Sequence, residues 1–380
     1  MSMKLRTVHK MALEDVKMSK TPIPILLIGP RRIAGDVLGG TKVSFELLID
    51  HFEDSQVWTP VVVNLSRPAK RSKTMRAWAS FVTFIGVVLR VARLARHSAL
   101  IFLNISPQGL LLAGPVLWAI SRIVGVPFVV RIFGGDFAEQ IEQTGTVTRW
   151  IAKRSFLNCE LLLLQSKSLV SRFEKSQNVH WFPTSRRLPA DHRIRNECRK
   201  LLFVSQLRPE KGLRELLSAA DALSTEVSVS IFGARMPGFE PDEFRTHSNI
   251  RYYGEVSNEV VLKAMQDHDV LIFPTYHEGE GYPGVVIEAM QAGMPIVASR
   301  WKALPELVEH EVNGLLVPPR SSIELVAAIS RLVEEPGLVS TLSQGALSLG
   351  ARFDAENVNS NLDQLLLGFV GTGDSHSCAE

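Results

Sequence analysis

One stretch of the sequence, residues 270–299, limits the fold more than any other because it specifies two strands, a tight loop and a helix. The apolar run Val270–Phe273 predicts a short buried strand, and the glycine and proline residues after it predict a tight loop. A helix follows, which begins near Pro283 and stops at Gly293, before a second apolar strand, Ile296–Ala298. The loop therefore leads from the end of a strand to the N-terminus of a helix.

Two glutamates flank the start of this helix. Glu280 lies in the loop just outside the helix N-terminus, where free backbone N–H groups and the helix dipole favour an anion such as a diphosphate. Glu288 lies about 130–160° from the centre of the apolar face, beside Gly284, so core packing does not explain it. The pair predicts a clamp around a ligand that carries both phosphate and sugar. The alternative is an ordinary loop carboxylate and a solvated helix residue, as most isolated glutamates are.

A second unit of strand, glycine-rich loop and helix occurs near the start of the chain. Ile25–Ile28 predicts the strand, Gly39 and Gly40 end the loop, and Thr41 is predicted to cap a helix that runs to Phe52. Such a unit is typical of a doubly wound α/β sheet with its ligand at the carboxyl ends of the strands, although a plain turn is the alternative. The loop has neither the dinucleotide nor the P-loop spacing, so nicotinamide or triphosphate chemistry lacks its motif.

Composition limits the class of protein. A chain of 380 residues is long for one core, so two domains are expected, and a net charge of +3 is too weak to indicate nucleic acid. Three widely spaced cysteines suggest a reducing compartment, and residues 1–20 lack a secretory signal. Val82–Val91 and Leu110–Val130 are apolar but are interrupted by arginine or proline. They therefore predict a surface helix and a buried helix plus strand rather than membrane spans.

The two glutamates and their surroundings resemble the Glu-x7-Glu motif of glycosyltransferase family 4, a family of retaining enzymes with the two-domain GT-B fold. The resemblance is strongest over residues 201–320. In that family the first glutamate contacts the donor sugar, the second holds the ribose, and backbone amides between them hold the distal phosphate. These roles fall on Glu280 and Glu288 and, for the amides, on Gly281, Gly284 and Val285.

A second element resembles the family segment Gly-Arg-Leu…Lys-Gly, whose arginine and lysine neutralise the donor diphosphate. Lys211 matches the lysine, which gives it a catalytic role beside Glu280. Gln206 stands at the arginine position, and Arg208 follows two residues later. The resemblance therefore implies either that Arg208 supplies the missing charge or that a single cation contacts the diphosphate.

The acceptor side is predicted near the end of the strand Pro127–Ile132, which leads into Phe133, Gly134, Gly135 and Asp136. Strand ends of this kind place a carboxylate at the catalytic edge of the sheet. Family members often carry a histidine here, and because Phe133 stands in its place no catalytic histidine is expected. Asp136 and the adjacent Gly135 are candidates for acceptor contact, with a structural turn or N-cap as an equal alternative for Asp136. The family's other donor contacts point to Gly39, Gly40 and Gly254.

One acidic cluster, Asp267-His268-Asp269, imitates the Asp-x-Asp metal site of the other large glycosyltransferase fold. It directly precedes the strand at residue 270, where a connection between helix and strand is expected. The cluster is therefore predicted to be a cap and a loop, and no metal is expected.

The resemblance implies two Rossmann-like doubly wound domains that face a central cleft. Residues 21–185 would form the acceptor domain and residues 186–350 the donor domain, with a proline- and arginine-rich linker near residues 183–200. Residues 351–369 would form a helix that packs back on the first domain. Residues 1–20 and 370–380 would be tails.

The implied reaction moves a hexose-type sugar from a nucleoside diphosphate sugar to a hydroxyl of a glycan or lipid-linked acceptor, with retention and without a metal or cofactor. Synthesis of a bacterial surface polysaccharide is the expected setting, and the cytoplasm the expected location. Two alternatives stay open. One is an isomerase on the same fold, such as a nucleotide-sugar 2-epimerase, and the other is a non-catalytic protein that binds sugar nucleotides.

Membrane contact is a further expectation. A helix from Trp78 to Ala95 carries aromatic and aliphatic residues and follows a run of basic residues: Arg67, Lys70, Arg71, Lys73 and Arg76. This combination suits an anionic membrane surface, at the inner face of the plasma membrane. A core-facing helix beside a solvated basic loop fits the pattern equally well. The resemblance favours the membrane, since many family members act on lipid-linked acceptors.

Overall fold

The computed structural model describes residues 21–31, 39–66, 73–173, 176–224, 226–236 and 247–370, with the backbone alone for residues 73–83. The predicted tail at residues 1–20, residues 371–380 and the basic residues 67, 70 and 71 lie outside the described residues.

Two parallel six-stranded sheets form the framework. The first sheet has the order β2-β1-β3-β4-β5-β6, and its strands are β1 Ile23–Gly29, β2 Trp58–Asn64, β3 Leu100–Ile105, β4 Phe128–Ile132, β5 Leu161–Leu164 and β6 Val179–Trp181. The second sheet has the order β12-β11-β10-β7-β8-β9, and its strands are β7 Lys200–Val204, β8 Ser228–Phe232, β9 Ile250–Gly254, β10 Val270–Phe273, β11 Ile296–Ser299 and β12 Gly314–Val317. The prediction of two doubly wound Rossmann-like domains is confirmed.

Helices cover both faces of each sheet. The first domain contributes α1 Gly40–Glu53, α2 Lys73–Ala95, α3 Pro107–Val124, α4 Phe137–Gln143, α5 Thr146–Arg154 and α6 Lys167–Ser171. The second contributes α7 Leu213–Ala220, α8 Asn258–Asp267, α9 Gly284–Gln291, α10 Ser322–Glu334 and α11 Pro336–Gly350. The last helix is α12, Ala355–Val370. The expected cap at Thr41 is wrong, because Gly39, which has no side chain, holds the N-cap position of α1.

The strand order positions the binding region. In the first sheet β2 is added on one side of β1, and β3 is added on its other side, so the strand order reverses at β1. In the second sheet β7 lies between β8 and β10 in the same way. Ligands bind at such switch points, outside the carboxyl ends of the strands. The loops after β1, β7 and β10 are therefore where a ligand is expected.

Helix α12 belongs in space to the first domain although it follows the second in sequence. Its Val358, Leu362 and Leu366 pack in one buried cluster with Ile25 and Phe45 of the first domain. The chain thus crosses between the domains twice.

Helix α3 is long and apolar enough to cross a bilayer by length and composition. One side of it packs on the first sheet through the buried Leu110 and Leu117, whereas Leu112 and Ile123 are 73% and 84% exposed. The prediction of a buried helix is therefore wrong for the outer side of α3, and it holds for strand β4, which is buried throughout.

Candidate active site

A cavity of about 650 Å³ lies between the two domains, at the switch points of both sheets. Residues of both domains line it. Those predicted from the sequence are Gly39, Gly40, Asp136, Gln206, Lys211, Glu280, Gly281, Gly284, Val285 and Glu288. Three other predicted residues, Gly135, Arg208 and Gly254, do not line the cavity.

Lys211 and Glu280 meet at the centre of the second-domain wall. Lys211 lies in a short turn after β7, and its Nζ is 2.6 Å from Oε2 of Glu280 in the loop after β10. The hydroxyl of Thr275 donates to the same oxygen, at 2.9 Å. Both charged side chains are largely buried. Two donors therefore fix the carboxylate beside a cation, at the point where the strand order reverses.

His277 is a cavity-lining residue that sequence reasoning did not find. Its Nδ1 lies 3.8 Å from Oε1 of Glu210, and the ring lies near Lys211. Burial and then the charge of Lys211 lower the pKa of His277 below the ordinary histidine value, which favours the neutral ring. A neutral imidazole can both donate and accept hydrogen bonds.

Glu288 is buried and paired with Arg186, a linker residue that sequence reasoning also missed. Nε of Arg186 donates to Oε1 of Glu288 at 2.8 Å, and Nη1 donates to the Ser44 hydroxyl and the Ser185 carbonyl, at 3.0 and 2.8 Å. Burial raises the pKa of Glu288, whereas Arg186 and then Asn258 oppose this shift. One guanidinium thus connects the linker with Ser44 of α1 in the first domain and Glu288 of the second.

The remaining nitrogen of Arg186, Nη2, faces the start of α9. Among the described residues no acceptor bonds to it. A Cβ atom added at Gly284 would collide with this nitrogen, so the guanidinium fills the space that a side chain at position 284 would occupy. The N-terminus of α9 therefore has a cation beside its free amides.

Gln206 has no positive charge, so we compared the positions of the nearby arginines relative to the cavity. Gln206 lines the cavity, whereas the guanidinium of Arg208 lies outside the lining, with Nη1 3.8 Å from Glu210. Because Arg208 does not line the cavity, the structure gives no support to the alternative in which it supplies the missing charge, and that alternative stays a prediction. The second cation at the cavity is Arg186.

Backbone groups join the domains beside the site. The amide of Gly135 donates to the carbonyl of Gly279 across the cleft, at 3.2 Å. A Cβ atom at Gly135 would collide with the carbonyl oxygen of Glu280. The lack of a side chain at Gly135 therefore allows the two domains to approach closely. Its neighbour Gly134 lines the cavity instead.

Asp136 projects from the first domain into the cavity. It holds the N-cap position of α4, yet its side chain makes no capping bond. Its Oδ2 instead accepts from Nε2 of Gln140, at 2.6 Å. The capping alternative for Asp136 therefore lacks its hydrogen bond, and the carboxylate keeps capacity to accept from a ligand hydroxyl.

Side chains reinforce the contact between the domains. The carboxylate of Glu306, from the second domain, accepts from the amides of Lys167 and Ser168 at 2.7 and 3.0 Å. The same carboxylate accepts from the hydroxyl of Tyr282, at 2.7 Å. Lys302 joins Glu139 of the first domain, at 3.4 Å, to Glu278 in the loop between β10 and α9, at 2.9 Å. The two walls are thus held together around the cavity.

Asp269, in the acidic cluster before β10, serves the backbone. Its carboxylate accepts from the amides of Arg199 and Lys200, at 3.1 and 2.9 Å, and from the guanidinium of Arg193. Within the described ranges, no three His, Cys, Asp or Glu side chains come together as a group that could hold a metal ion.

The comparison with family models concerns the second domain. Residues 198–335 match the family described as Glycosyl transferases group 1. The second domain is a glycosyltransferase group 1 domain. The resemblance predicted from the two glutamates is therefore confirmed, and Lys211, Glu280 and Glu288 all lie within the matched range.

Curated relatives of this glycosyltransferase group 1 domain carry transferase names. Alpha-D-kanosaminyltransferase of Streptomyces kanamyceticus is 24% identical over 265 residues, which are 62% of this chain and 68% of that protein. A Campylobacter jejuni protein, N,N'-diacetylbacillosaminyl-diphospho-undecaprenol alpha-1,3-N-acetylgalactosaminyltransferase, is 26% identical over 42% of this chain and 41% of its own length. The other three of the first four curated relatives are matched over only 38–44% of their length.

Solved structures resemble both domains together. The Anabaena protein HepE in complex with UDP superposes with a TM-score of 0.71 at 19% identity, over 91% of this chain and all of that one. The lipopolysaccharide outer core galactosyltransferase WaaB, in its apo form, superposes with a TM-score of 0.66 at 17% identity, over 91% of this chain and 99% of its own. At these identities the likeness concerns the fold, which is the GT-B arrangement around the glycosyltransferase group 1 domain.

Proposed function

We propose that this protein is a retaining glycosyltransferase that moves a hexose-type sugar from a nucleoside diphosphate sugar to a hydroxyl of a glycan or lipid-linked acceptor. One observation carries the proposal. Lys211, Glu280, Glu288 and Arg186 converge around the N-terminus of α9, at the switch point of the second sheet. This arrangement offers cations and amides to a diphosphate and carboxylates to sugar hydroxyls, within one cavity.

The donor is held by the second domain. Its diphosphate lies against the amides of Gly284 and Val285, while Pro283 has no N–H to offer. Lys211 approaches from the turn after β7. Glu288 accepts from the ribose hydroxyls with the oxygen that Arg186 leaves free, because Nε of Arg186 occupies Oε1.

Arg186 supplies the second positive charge that Gln206 cannot. Its Nη2 faces the start of α9 and has no acceptor among the described residues, so a donor phosphate oxygen can take that place. A hydrogen bond between a guanidinium and a phosphate is charge-assisted and is stronger than a neutral one. The guanidinium then bridges the phosphates and the carboxylate that binds the ribose.

Transfer proceeds at the face of the sugar from which the diphosphate leaves. The acceptor oxygen forms a bond to the anomeric carbon as the bond from that carbon to the phosphate oxygen breaks, and the leaving phosphate takes the acceptor proton. Lys211 and the amides of α9 stabilise the negative charge that develops on the diphosphate. Glu280 orients the donor sugar through its hydroxyls. It is poorly suited to attack carbon, since Lys211 and Thr275 already hold one of its oxygens.

The acceptor lies against the first domain, where Asp136 accepts from its hydroxyl beside the loop of Gly39 and Gly40. No metal or resident cofactor takes part in this proposal. Synthesis of a bacterial surface polysaccharide fits the relatives, among which the Campylobacter protein is named for a diphospho-undecaprenol substrate. The cytoplasm is the location that we propose for it.

The first experiment is a thermal-shift screen of the protein with a panel of nucleoside diphosphates, since a ligand that binds the folded state raises its melting temperature. The nucleotide that shifts most then selects the sugar nucleotides to incubate without acceptor. We expect slow release of the sugar by hydrolysis, which Lys211→Ala abolishes. A new sugar nucleotide as product would indicate an isomerase, and the absence of any turnover with every donor that binds would indicate a binding protein. Either result overturns the proposal.

A further inference from the structure

Three helices form a distinctive surface on the first domain. Helices α2, α3 and α5 pack side by side on the same face of the first sheet, where Val91, Leu117 and Ala152 share one buried cluster. The opposite face of that sheet is covered by α1 and α12. We call the solvent side of α2, α3 and α5 the outer helical face.

The outer helical face is strongly biased in charge. The three helices have 23, 18 and 9 residues and include eight lysines and arginines but no aspartate or glutamate. The whole chain is nearly balanced, with 42 basic and 39 acidic residues. In the second domain, by contrast, each of the helices α7 to α10 contains at least one acidic residue. The bias is therefore a local property of these three helices.

Large apolar side chains are exposed on the same helices. Half of the sixteen exposed large hydrophobic side chains in the described part of the chain lie there. Six of these eight occur in pairs four residues apart, which places the members of each pair on one side of their helix. The pairs are Ile85 and Leu89, Leu112 and Val116, and Val147 and Ile151. The other two are Ile123 and Trp150, which are 84% and 59% exposed.

The cations of this face have no acidic partners within the described residues, with one exception. Arg90, Arg93, Lys153 and Arg154 are exposed and form no ion pair there. The guanidinium of Arg154 lies over the Trp150 ring, 5.5 Å from its centre. Arg122 is the exception, because it pairs with Glu160 at 2.7 Å.

We propose that the outer helical face docks on an anionic lipid bilayer. Aliphatic and indole side chains enter the boundary between headgroups and acyl chains, and unpaired lysines and arginines are attracted to anionic headgroups. Helix α3 lies along the bilayer rather than across it, because its other side forms part of the core of the first sheet. The inference depends on this surface alone and not on the proposed sugar transfer.

The surface also adjoins the cavity. Ser106, Pro107 and Gln108, at the start of α3, line the cavity, and Leu112 follows one turn later. A bilayer held against the outer helical face therefore lies next to the first-domain wall of the cleft. An acceptor anchored in that bilayer would reach Asp136 from the side of the membrane.

The test is sedimentation of the full chain with vesicles of phosphatidylcholine, with or without phosphatidylglycerol, at low and at physiological salt. We expect binding to the anionic vesicles, weakened by salt, and little binding to the neutral ones. The double variant Lys153→Gln with Arg154→Gln should weaken binding about tenfold or more, since each basic residue near an anionic surface contributes about fivefold. Trp150→Ser with Leu112→Ser should weaken binding at both salt concentrations.

Matched controls lie on the second domain. Ile323 is 79% exposed, and Arg251 and Lys263 are exposed cations there. Ile323→Ser, and Arg251→Gln with Lys263→Gln, should leave vesicle binding unchanged. Melting curves establish that each variant folds. As a second readout, brominated lipid should quench the fluorescence of the bound protein, and Trp150→Phe should reduce that quenching while it retains binding.

Several outcomes would overturn the inference. Equal binding to neutral and anionic vesicles, no binding to either, or equal losses in the second-domain controls would each contradict it. So would a labelled oligonucleotide that binds through Lys153 and Arg154 when vesicles do not. Self-association that Trp150→Ser abolishes, without any binding to vesicles, would assign the surface to a second copy of the chain.

Discussion

The two walls of the cleft differ sharply in chemistry. The second-domain wall carries ionisable side chains at its centre, among them Lys211, Glu280 and Glu288, and it is completed by Arg186 from the linker. The first-domain wall consists of glycines, hydroxyls, amides and a few apolar side chains, and Asp136 is its one ionisable residue among those described. Cations and free amides suit a charged ligand such as a diphosphate, on which further negative charge develops during transfer. A wall of backbone and small polar groups suits neutral hydroxyls, so the difference supports the proposal that donor and acceptor bind to opposite domains.

The largest effect is expected from the cation of the second-domain wall. Lys211→Ala removes a group that stabilises charge developing on the leaving diphosphate, and a loss of about 10²–10³-fold in the hydrolysis rate of the donor is expected. Arg208→Ala, a cation outside the cavity, is the matched control and should change the rate less than about twofold. Similar losses in both variants would break the distinction between the two cations.

Glu280→Gln separates orientation of the sugar from binding of the nucleotide. The amide keeps the shape of the side chain but loses the charge that Lys211 and Thr275 surround. We expect the transfer rate to fall about 10–100-fold while the affinity for the nucleoside diphosphate stays within about threefold, because misplacement of the sugar alone costs rate. Calorimetry of nucleotide binding beside rate measurements checks this, and full activity in Glu280→Gln would remove its proposed role.

Substitutions of Arg186 and Glu288 should each weaken contact with a different part of the donor. Arg186→Gln should reduce the affinity for the nucleoside diphosphate about tenfold and that for the nucleoside less, since the lost bond to phosphate is charge-assisted. Glu288→Gln should weaken both ligands equally, through the ribose. The ratio of the two affinities is the measurement, and an unchanged ratio in Arg186→Gln would show that this side chain only supports the fold.

Stability complicates that measurement in a predictable way. Removal of one partner from a buried ion pair leaves the other uncompensated, which costs about 3–5 kcal/mol. The double variant Arg186→Gln with Glu288→Gln removes both charges and should unfold at a higher temperature than Arg186→Gln alone. Binding is therefore compared at a temperature where all the variants are folded.

The smallest effect is expected on the first-domain wall. Asp136→Asn should raise the KM for the acceptor about three- to tenfold, since one hydrogen bond from a hydroxyl to a charged group is weakened. Hydrolysis of the donor without acceptor should not change. If hydrolysis fell as far as transfer does, Asp136 would act on the donor, and the division between the two walls would be wrong.

The sequence predicts those parts of the site whose signal is local. Lys211 and Glu280 each lie in the segment that connects an apolar strand to the next helix, and parallel strands bring such segments to one edge of the sheet. Arg186 has no comparable signal, because it lies in an aperiodic linker and its partner Glu288 is 102 positions away in the chain. The helical angle of Glu288 indicates that it leaves the core of its own domain, but the burial of this carboxylate arises at the linker, through Arg186 and the Ser44 contact beyond it.

The exposed side of helix α3 is a second feature that the sequence did not predict. A helix that is apolar all round is expected to be buried, and the sequence of α3 contains no polar stripe that marks a solvent side. Leu112 and Ile123 are nevertheless exposed. Periodicity distinguishes apolar from polar neighbours, and it cannot distinguish a protein core from the apolar edge of a bilayer. Only the packing of α3 against α2 and α5 reveals which side remains open.

The bond from the amide of Gly135 to the carbonyl of Gly279 joins the domains through main chain on both sides. Because both partners are main-chain atoms, substitutions of other side chains that line the cavity do not remove this bond. A larger residue at position 135 would disturb this contact. A methyl group at position 135 would collide with the carbonyl oxygen of Glu280, so Gly135→Ala would force the two loops apart at this point.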